Sequence, residues 1–439
     1  MPYSRPSPTT ALNGASGAVA SRPSPTTALD GASRPLRPLR ILIAGDTYPP
    51  DVNGAGYFTH RLAEGLAERG HRVHVVCPSE EGEPYVRRNG RVMEHRLRSA
   101  RMPLQDGMRA AVPLGAGGHI ARLVRRLDPD VVHAQSHFTL SRSAIRAGRA
   151  AGIPVVLTNH FMPDNLYAHA RIPEAMRAVV GDLAWRDMVR VAGEADHLTT
   201  PTPRAAALLR EKGFAGEIES ISCGIDLERF HPRSDRSAAR GRFGLPDRDT
   251  IVFVGRLDED KRIDDTIRAL ALVSREHDAQ LALAGLGRDE EALRVLAAEL
   301  GVADRVFFLG FVPDAELPLF YAAGDVFAIA AVAELQSIAT LEAMATGLPV
   351  VVADAMALPH LVEEGRNGFL FPPGDPVRMA DRLLTVLSAG RARSALGGTA
   401  RELALRHDHH RSLERFEEVY RGLRPSALPP TRPERIAVA

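Results

Sequence analysis

From Arg40 onward, short apolar runs alternate with longer amphipathic runs along the chain. A short apolar run between polar or glycine positions predicts a buried strand, and apolar residues spaced three and four apart predict a helix. The predicted strands of the first half are Ile41–Ala44, Val73–Cys77, Val131–His133, Val155–Thr158, His197–Thr200 and Ile218–Ile221. Those of the second half are Ile251–Val254, Leu281–Ala284, Val306–Leu309, Val326–Ile329, Val350–Ala353 and Phe369–Phe371. The predicted helices between them include Asp264–Glu276, Asp289–Leu300 and Asp375–Leu387, each opened by an aspartate that can cap it.

Repeated strand, helix, strand units predict an α/β fold of parallel sheets with helices on both faces. We expect two Rossmann-like domains, residues 39–225 and 226–405, because a non-periodic segment at 223–232 separates the two sets of strands. A helical run at 406–425 is expected to cross back to the first domain. In such an arrangement the ligands bind in the cleft between the domains.

The ends of the chain have a different composition. Residues 4–16 recur as residues 21–33 with one Asn-to-Asp difference, and both copies are rich in Pro, Ser, Thr and Gly. Such segments bury too little apolar surface to offset the entropy of ordering them. We therefore predict a disordered tail at 1–38 and a flexible tail at 426–439.

Composition restricts the class of protein. The chain has 439 residues, 45% of them hydrophobic, with a net charge of +1, which suits two ordinary cores and does not suggest a nucleic-acid partner. No apolar run reaches the length of a membrane span, and Cys77 and Cys223 fit a reducing compartment, so we expect a cytoplasmic protein. The histidines at 407–410 are interpreted as a polar helix start rather than a metal site.

Two glutamates, Glu334 and Glu342, are eight positions apart. A helix beginning just after Glu334 would place them on a similar side, about 12 Å apart along its axis. The amides of Leu335, Gln336, Ser337 and Ile338 would then be available to a phosphate, and the carboxylates could accept hydrogen bonds from sugar hydroxyls. The alternative is a helix whose glutamates are simply solvated.

Lysine is rare in this chain. Only Lys212 and Lys261 occur among 55 basic residues. Lys261 follows the predicted strand Ile251–Val254 together with Gly255 and Arg256, and open α/β sheets bind ligands at the carboxyl ends of their strands. Arg256 and Lys261 could clamp a diphosphate there. The alternative is a surface ion pair between Lys261 and a nearby acid.

Two further candidates follow strands of the first half. The strand Ile41–Ala44 leads into a loop containing Gly54, where a backbone N–H can approach a phosphate. The dinucleotide-binding fingerprint fails, since Thr59 occupies the position of its third glycine, which argues against a dehydrogenase. His160 follows the strand Val155–Thr158, and although a lone histidine is usually structural, this location favours a functional role.

The order Gly255-Arg256, Lys261, Glu334 and Glu342 resembles the retaining GT-B glycosyltransferases of family 4 over about residues 40–420. The resemblance implies a GT-B fold in which Arg256 and Lys261 hold the donor diphosphate, Glu334 the sugar hydroxyls and Glu342 the ribose. Gly54 and His160 would line the opposite side of the cleft. It further implies that no metal or other cofactor is needed, because Arg256 and Lys261 balance the diphosphate charge, and that the departing phosphate itself takes the proton of the acceptor.

We therefore predict transfer of a hexose, with retention, from a nucleotide diphosphate sugar of the UDP-glucose or GDP-mannose type to a hydroxyl group. Gln336 follows Glu334 by two places, and in this the motif resembles that of diacylglycerol glucosyltransferases. The resemblance predicts a lipid acceptor. The alternatives are a soluble acceptor such as inositol phosphate or a secondary metabolite, and a non-catalytic nucleotide-sugar binding protein. The sequence does not predict the oligomeric state.

A basic segment suggests a membrane partner. The stretch from Tyr85 to Arg126 contains ten arginines and only two acidic residues, so its net charge is +8. Arg122, Arg125 and Arg126 lie on the helical run Gly118–Leu127, opposite an apolar stripe. Such a helix can lie on an anionic bilayer, which would make the protein peripheral on the inner face of the plasma membrane. The alternative is that the apolar stripe packs on the first domain's sheet.

Overall fold

The computed structural model describes residues 37–423, except 52, 103–108, 163–173 and 234. The predicted tails at 1–38 and 426–439 lie outside the described residues, apart from residues 37 and 38. All strands and helices named from the sequence are present, with ends shifted by a few residues. The strands are β1 Arg40–Ala44, β2 Arg72–Pro78, β3 Tyr85–Asn89, β4 Val92–Leu97, β5 Ser99–Arg101, β6 Arg109–Ala111, β7 Val131–Ala134, β8 Val155–Thr158, β9 His197–Thr200, β10 Ile218–Ser220, β11 Asp249–Val254, β12 Ala279–Ala284, β13 Val306–Phe308, β14 Val326–Ile329, β15 Val350–Ala353 and β16 Gly368–Phe371.

The helices alternate with these strands. They are α1 Gly54–Glu68, α2 Ala116–Leu127, α3 Thr139–Ala150, α4 Glu174–Ala192, α5 Pro203–Glu211, α6 Arg236–Arg242, α7 Ile263–Val273, α8 Glu290–Glu299, α9 Leu317–Ala322, α10 Ile338–Ala345, α11 Pro376–Leu387, α12 Arg391–Ala404 and α13 His409–Gly422. Of the aspartates expected to cap helices, Asp375 does so through its side chain, while α7 begins at Ile263, one residue before Asp264.

The first domain is built on a sheet of eight strands. Their order is β10-β9-β8-β7-β1-β2-β4-β3, and all neighbours are parallel except β3 and β4. The chain moves outward in one direction from β1 to β2 and in the other from β7 to β10. The carboxyl ends of β1 and β7 are therefore a topological switch point, where a crevice forms.

The second domain repeats this design with six parallel strands. Their order is β13-β12-β11-β14-β15-β16, so the direction of the chain reverses between β11 and β14. The buried faces of these strands and of the helices α7 and α11 form one hydrophobic cluster. The two Rossmann-like α/β domains confirm the predicted fold class. Their crevices, at β1/β7 and β11/β14, lie where loops carry the candidate site residues.

Strands β3 to β6 were not predicted. Strand β4 contains Glu94 and Arg96, which are 0% and 1% exposed, instead of an apolar run. Arg96 Nη2 donates to Glu94 Oε2 at 2.8 Å, and Arg87 Nε donates to the same oxygen at 2.7 Å. Because the buried charges satisfy one another, the strand is stable without the hydrophobic pattern by which a strand is recognised.

The packing of helix α2 shows whether the apolar stripe of the basic segment faces a bilayer or the protein core. Its apolar stripe, Ile120, Leu123 and Val124, is at most 3% exposed and belongs to the core of the first domain. Arg122, Arg125 and Arg126 are exposed. The structure thus bears out the alternative, in which the apolar stripe packs on the first domain. Only its arginine face remains available to a charged partner.

The last helix, α13, packs on the first domain although it follows the second in the chain. Leu413, Phe416 and Tyr420 lie in the hydrophobic cluster that also contains β1 and α1. Asp408 caps this helix by accepting a hydrogen bond from the backbone N–H of His410 at 3.0 Å. The histidines at 407–410 are thus a polar helix start, as predicted.

Candidate functional site

The backbone after β11 forms the floor of the second domain's crevice. Gly255 has φ +155°, and a Cβ placed on Gly285, which follows the neighbouring strand β12, would lie 1.8 Å from the Gly255 carbonyl oxygen. Only glycine permits this close approach of the two turns. The turn directs the chain from Gly255 into Arg256 and then into the short 3₁₀ helix Glu259–Lys261.

Lys261 faces two carboxylates in this crevice. Its Nζ lies 2.6 Å from Glu334 Oε1 and 3.1 Å from Asp260 Oδ2. Burial lowers the pKa of Lys261, but these two carboxylates outweigh it and raise the pKa above its ordinary value. Lys261 is therefore a fixed positive charge. The sequence analysis left open a surface ion pair with a nearby acid, whereas the structure also pairs Lys261 with Glu334 in the crevice.

Arg256 lies on the same side of the crevice. Its guanidinium pairs with Asp258 and approaches Asp260 Oδ1 at 3.5 Å. Asp260 thus contacts both Arg256 and Lys261 and holds the two cations near one another. The sequence analysis did not name Asp260, and its only sequence signal is its place beside Lys261.

The glutamate motif differs from its prediction in one respect. The helix α10 begins at Ile338, not directly after Glu334, and Ser337 is its N-cap, accepting from the Thr340 N–H at 3.3 Å. Glu334 belongs to the loop before the helix, where its carbonyl oxygen accepts from the Ala357 N–H at 3.1 Å. The positive end of the helix therefore lies at Ser337 and Ile338.

The residues between Glu334 and Ser337 bind the first domain. Thr202 Oγ1 donates to the Leu335 carbonyl oxygen at 2.8 Å. The side chain of Gln336 accepts from the Cys223 N–H at 2.7 Å and donates to Ser222 Oγ at 3.0 Å. The Gln336 amide group is thus used to hold the linker between the domains.

Glu342 is buried, 7% exposed, on α10. Tyr321 donates its hydroxyl hydrogen to Glu342 Oε2 at 3.0 Å, and Arg61 Nη1 lies 4.0 Å from Glu342 Oε1. Burial raises the pKa of Glu342 to about 7, opposed by Arg61 and by the Tyr321 hydrogen bond. The carboxyl group therefore titrates near neutral pH. Neither Arg61 nor Tyr321 was singled out from the sequence.

Gly54 brings the first domain against this helix. It is the first residue of α1, and a Cβ placed on it would lie 3.8 Å from the Ile338 side chain. Asn53 caps α1 by accepting from the Gly56 N–H at 2.8 Å. The buried Arg96 donates to the Pro49 carbonyl oxygen at 2.8 Å, which fixes the loop that precedes Gly54. The N-termini of α1 and α10 thus meet across the cleft.

His160 follows β8 on the first domain's side of the cleft. Its Nε2 lies 3.0 Å from Gln135 Oε1, and its ring packs on Phe58 at 4.7 Å between centroids. Burial lowers the pKa of His160 to about 3, so the imidazole is neutral at physiological pH. Gln135, missed by the sequence analysis, directly follows β7 at the switch point and positions this ring.

The described part of the chain contains no group of three or more His, Cys, Asp or Glu side chains arranged to hold a metal ion. Independence from a metal stays a prediction. Within the same residues, no helix is long and apolar enough to cross a membrane. Both cysteines, Cys77 and Cys223, are free thiols in the interior.

Comparison with known proteins gives the same picture along the chain. Residues 52–229 match the family described as Glycosyltransferase Family 4, and residues 235–403 match Glycosyl transferases group 1. A D-inositol 3-phosphate glycosyltransferase of Saccharomonospora viridis is 31% identical over 84% of this chain and 89% of its own. The sulfoquinovosyl transferase SQD2 of Arabidopsis thaliana is 27% identical over 78% of this chain and 65% of its own.

Solved structures with the same fold are more distant in sequence. A sucrose-phosphate synthase from Thermosynechococcus elongatus superposes with a TM-score of 0.73 at 22% identity, over 87% of this chain and 98% of that one. The Anabaena protein HepE, solved in complex with UDP-glucose, superposes with a TM-score of 0.70 at 21% identity. The match covers 88% of this chain and 100% of that one.

Two Rossmann-like domains with cationic and carboxylate side chains in the cleft define the GT-B class of glycosyltransferases. The chain belongs to the group 1 glycosyltransferases with a family 4 amino-terminal domain, and is a hexosyltransferase that uses a nucleotide-sugar donor.

Proposed function

We propose that the protein transfers a hexose from a nucleotide diphosphate sugar to a hydroxyl group of a lipid acceptor of the diacylglycerol class, with retention of configuration. The contact between Lys261 and Glu334 carries the donor half of this proposal, because it places a cation for phosphate beside a carboxylate for sugar hydroxyls. The donor sugar would lie between the crevices of the two domains.

The donor diphosphate is the natural ligand for the cations of the second domain. When the bond to the sugar breaks, the departing diphosphate gains negative charge, and Arg256 and Lys261 stabilise this charge. The phosphate would take over the positions that Asp260 and Glu334 now occupy beside Lys261. The N-terminus of α10 at Ser337 and Ile338 adds backbone N–H groups to the same site.

The sugar and the ribose would be held by carboxylates. Glu334, released from Lys261 by the diphosphate, accepts hydrogen bonds from hydroxyls of the hexose. Glu342, farther along α10, accepts from the ribose. His160 is neutral and therefore acts as a hydrogen-bonding group rather than a charge, beside the transferred sugar. The departing phosphate takes the acceptor's proton, so that no separate base is used, and Arg256 and Lys261 balance the diphosphate charge without a metal.

The acceptor half rests on exposed apolar surface of α4. Met176, Val179 and Leu183 of α4 are 54%, 63% and 59% exposed, at the helical spacing that puts them on neighbouring turns. Apolar residues clustered on a surface in this way commonly mark a site for a lipid or another apolar partner. We infer that this face of α4 receives the hydrocarbon part of the acceptor.

Contacts connect this face to the cleft. Arg142 Nη1 donates to Asp187 Oδ1 of α4 at 3.1 Å, and Arg142 Nη2 donates to the His137 carbonyl oxygen at 3.0 Å. Phe138 follows His137 in the chain, and the centroid of its ring lies 5.0 Å from that of the Phe161 ring. Since Phe161 follows His160 in the chain, these contacts connect α4 to the loop that carries His160.

A soluble acceptor is the second candidate, and the relatives favour it. D-inositol 3-phosphate glycosyltransferases of three organisms are 30% to 34% identical to this chain. A phosphatidylinositol dimannoside mannosyltransferase of Mycobacterium tuberculosis, at 28% identity, acts on a lipid. Inositol phosphate is small and charged and would make no use of the exposed face of α4.

The deciding experiment measures nucleotide release from UDP-glucose and GDP-mannose with two acceptors, D-inositol 3-phosphate and diacylglycerol in vesicles. We expect vesicle-dependent release. M176S/V179S/L183S should reduce it about tenfold or more through lost apolar contact. The control V295S/V377S/L405S changes equally exposed residues of the second domain and should have no effect. Release that responds only to inositol phosphate would establish the second candidate instead.

A further inference from the structure

The helix α1 of the first domain lies along the donor side of the cleft. Three of its residues and its C-cap, Arg69, face the second domain or the last helix. Gly54 lies by Ile338, Arg61 by Glu342, Gly65 by Leu413, and Arg69 pairs with Glu417 at 2.5 Å. Positions 54, 61, 65 and 69 are seven, four and four residues apart, which puts them on one face of the helix.

Arg61 has an unusual position within this face. Its Nη1 lies 4.0 Å from Glu342 Oε1, on the opposite domain. Its Nε and Nη2 are buried and meet no hydrogen-bond acceptor among the described residues. Among the described residues, Arg61 therefore has one ion-pair partner, the carboxylate of Glu342.

We infer that Arg61 is a positioning residue for the donor. From the first domain it holds the Glu342 carboxylate ionised and oriented so that it accepts hydrogen bonds from the ribose hydroxyls. This inference rests on the proposed role of Glu342. It adds that donor binding by the second domain depends on a side chain of the first, so that the two domains must be together for the nucleotide to bind well.

The other groups around Glu342 do not replace Arg61. Tyr321 donates one hydrogen bond, which a neutral carboxyl group also accepts. Burial raises the pKa of the nearby Tyr57, so its hydroxyl is uncharged. Asp314 and Arg229 act on Glu342 with opposite signs, and Arg229 Nη1 pairs with Asp314 Oδ2 at 2.5 Å. Arg61 is thus the main positive charge acting on Glu342.

The consequence is a dependence of donor binding on pH. Burial raises the pKa of Glu342 to about 7 even with Arg61 present. An opposite charge at this distance lowers a carboxyl pKa by about one unit or more, so loss of Arg61 should raise it further. The carboxylate would then be scarce at neutral pH but would form again in alkaline solution.

The test measures the KM for the donor from pH 6.5 to 9, and the Kd of UDP and GDP by calorimetry. R61M and R61Q should raise the KM about five- to tenfold at pH 6.5 to 7, as a pKa shift of about one unit requires, and less than about twofold at pH 9. R61K should restore the wild-type profile. R69M is the matched control, since Arg69 joins the same helix to α13 without touching Glu342.

Each outcome bears on the inference. An R61M effect that is equal at all pH values, or the same pH-dependent effect in R69M, would show that Arg61 merely docks the domains. E342Q should raise the KM at every pH, and R61M/E342Q should be no worse than E342Q. If E342Q leaves the KM unchanged, or neither nucleotide binds the wild type, the ribose role itself is wrong. If E342Q raises the KM but R61M keeps the wild-type profile, only the role of Arg61 is wrong.

Discussion

The ammonium group of Lys261 lies 2.6 Å from Glu334 Oε1, although 73 positions separate the two residues in the chain. They meet because β11, which precedes Lys261, and β14, which precedes Glu334, are adjacent parallel strands. Loops that follow adjacent parallel strands emerge at the same edge of the sheet. The strand order of the second domain thus creates the ion pair on which the proposed donor site depends.

Replacement of Lys261 by alanine should reduce the rate by about two to three orders of magnitude, as expected for loss of a preorganised charge at the departing phosphate. The chain offers a matched control in its other lysine. Lys212 lies over the Trp185 ring at 5.5 Å, in the first domain, and K212A should keep the wild-type rate. Steady-state turnover with an excess of donor measures both. Equal rates in all three proteins would leave Lys261 as a structural ion pair only.

Glu334→Gln should reduce turnover at least tenfold, because the amide keeps only one acceptor oxygen, without a charge, where the carboxylate offers two to the sugar hydroxyls. The fold should survive, since Glu334 lies in a loop, its backbone bond to the Ala357 N–H is unaffected, and glutamine can still accept from Lys261 Nζ. Turnover and the melting temperature are measured on the same preparation. Full activity with each accepted sugar would contradict the sugar-binding role.

Activity should survive exhaustive chelation. The proposed mechanism uses Arg256, Lys261 and the N-terminus of α10 to balance the diphosphate charge. Turnover after dialysis against EDTA is compared with turnover after adding back magnesium or manganese. A loss with EDTA that either metal restores would show that a divalent ion shares this task.

Binding to anionic vesicles should depend on salt and on the arginine face of α2. Since the apolar stripe of this helix is buried, attraction rests on charge alone, at about 1 kcal/mol per arginine near the surface. R122Q/R125Q/R126Q should weaken sedimentation with vesicles at low salt at least tenfold. R366Q/R378Q/R391Q, on the second domain, serves as the control. Wild-type protein that stays wholly in the supernatant would argue against this membrane contact.

Gly224→Ala should lower the stability of the junction between the linker and the last helix. Gly224 has φ +72°, and a Cβ there would lie 2.5 Å from the His409 Cα, which is backbone and cannot move aside easily. We expect a loss of about 2–4 kcal/mol, measured by denaturant unfolding. Gly213→Ala is the control, with φ +97° but no atom within 4 Å of the added Cβ, and should cost about 1 kcal/mol. Equal losses would indicate that backbone strain alone acts at both sites.

The sequence by itself was sufficient for most of the regular elements, but not for β3 to β6. Buried parallel strands such as Val350–Ala353 are continuous apolar runs, so their pattern depends on neighbours within a few residues. The rarity of lysine likewise directed attention to Lys261 before any contact was known. Local pattern failed at Glu94 and Arg96, because a strand stabilised by paired buried charges has no apolar run. It also failed to place the start of α10, which Ser337 determines by capping.

Tertiary structure alone decided which side chains meet. The amphipathic pattern of α2 fits a membrane surface and a protein core equally well, and only the packing of Ile120 and Leu123 on the first domain distinguishes them. Arg61 and Gln135 carry no local signal, since an arginine on a helix and a glutamine after a strand are common. Arg61 meets Glu342, 281 positions away, because the two domains dock, and Gln135 meets His160, 25 positions away, because β7 and β8 are adjacent strands.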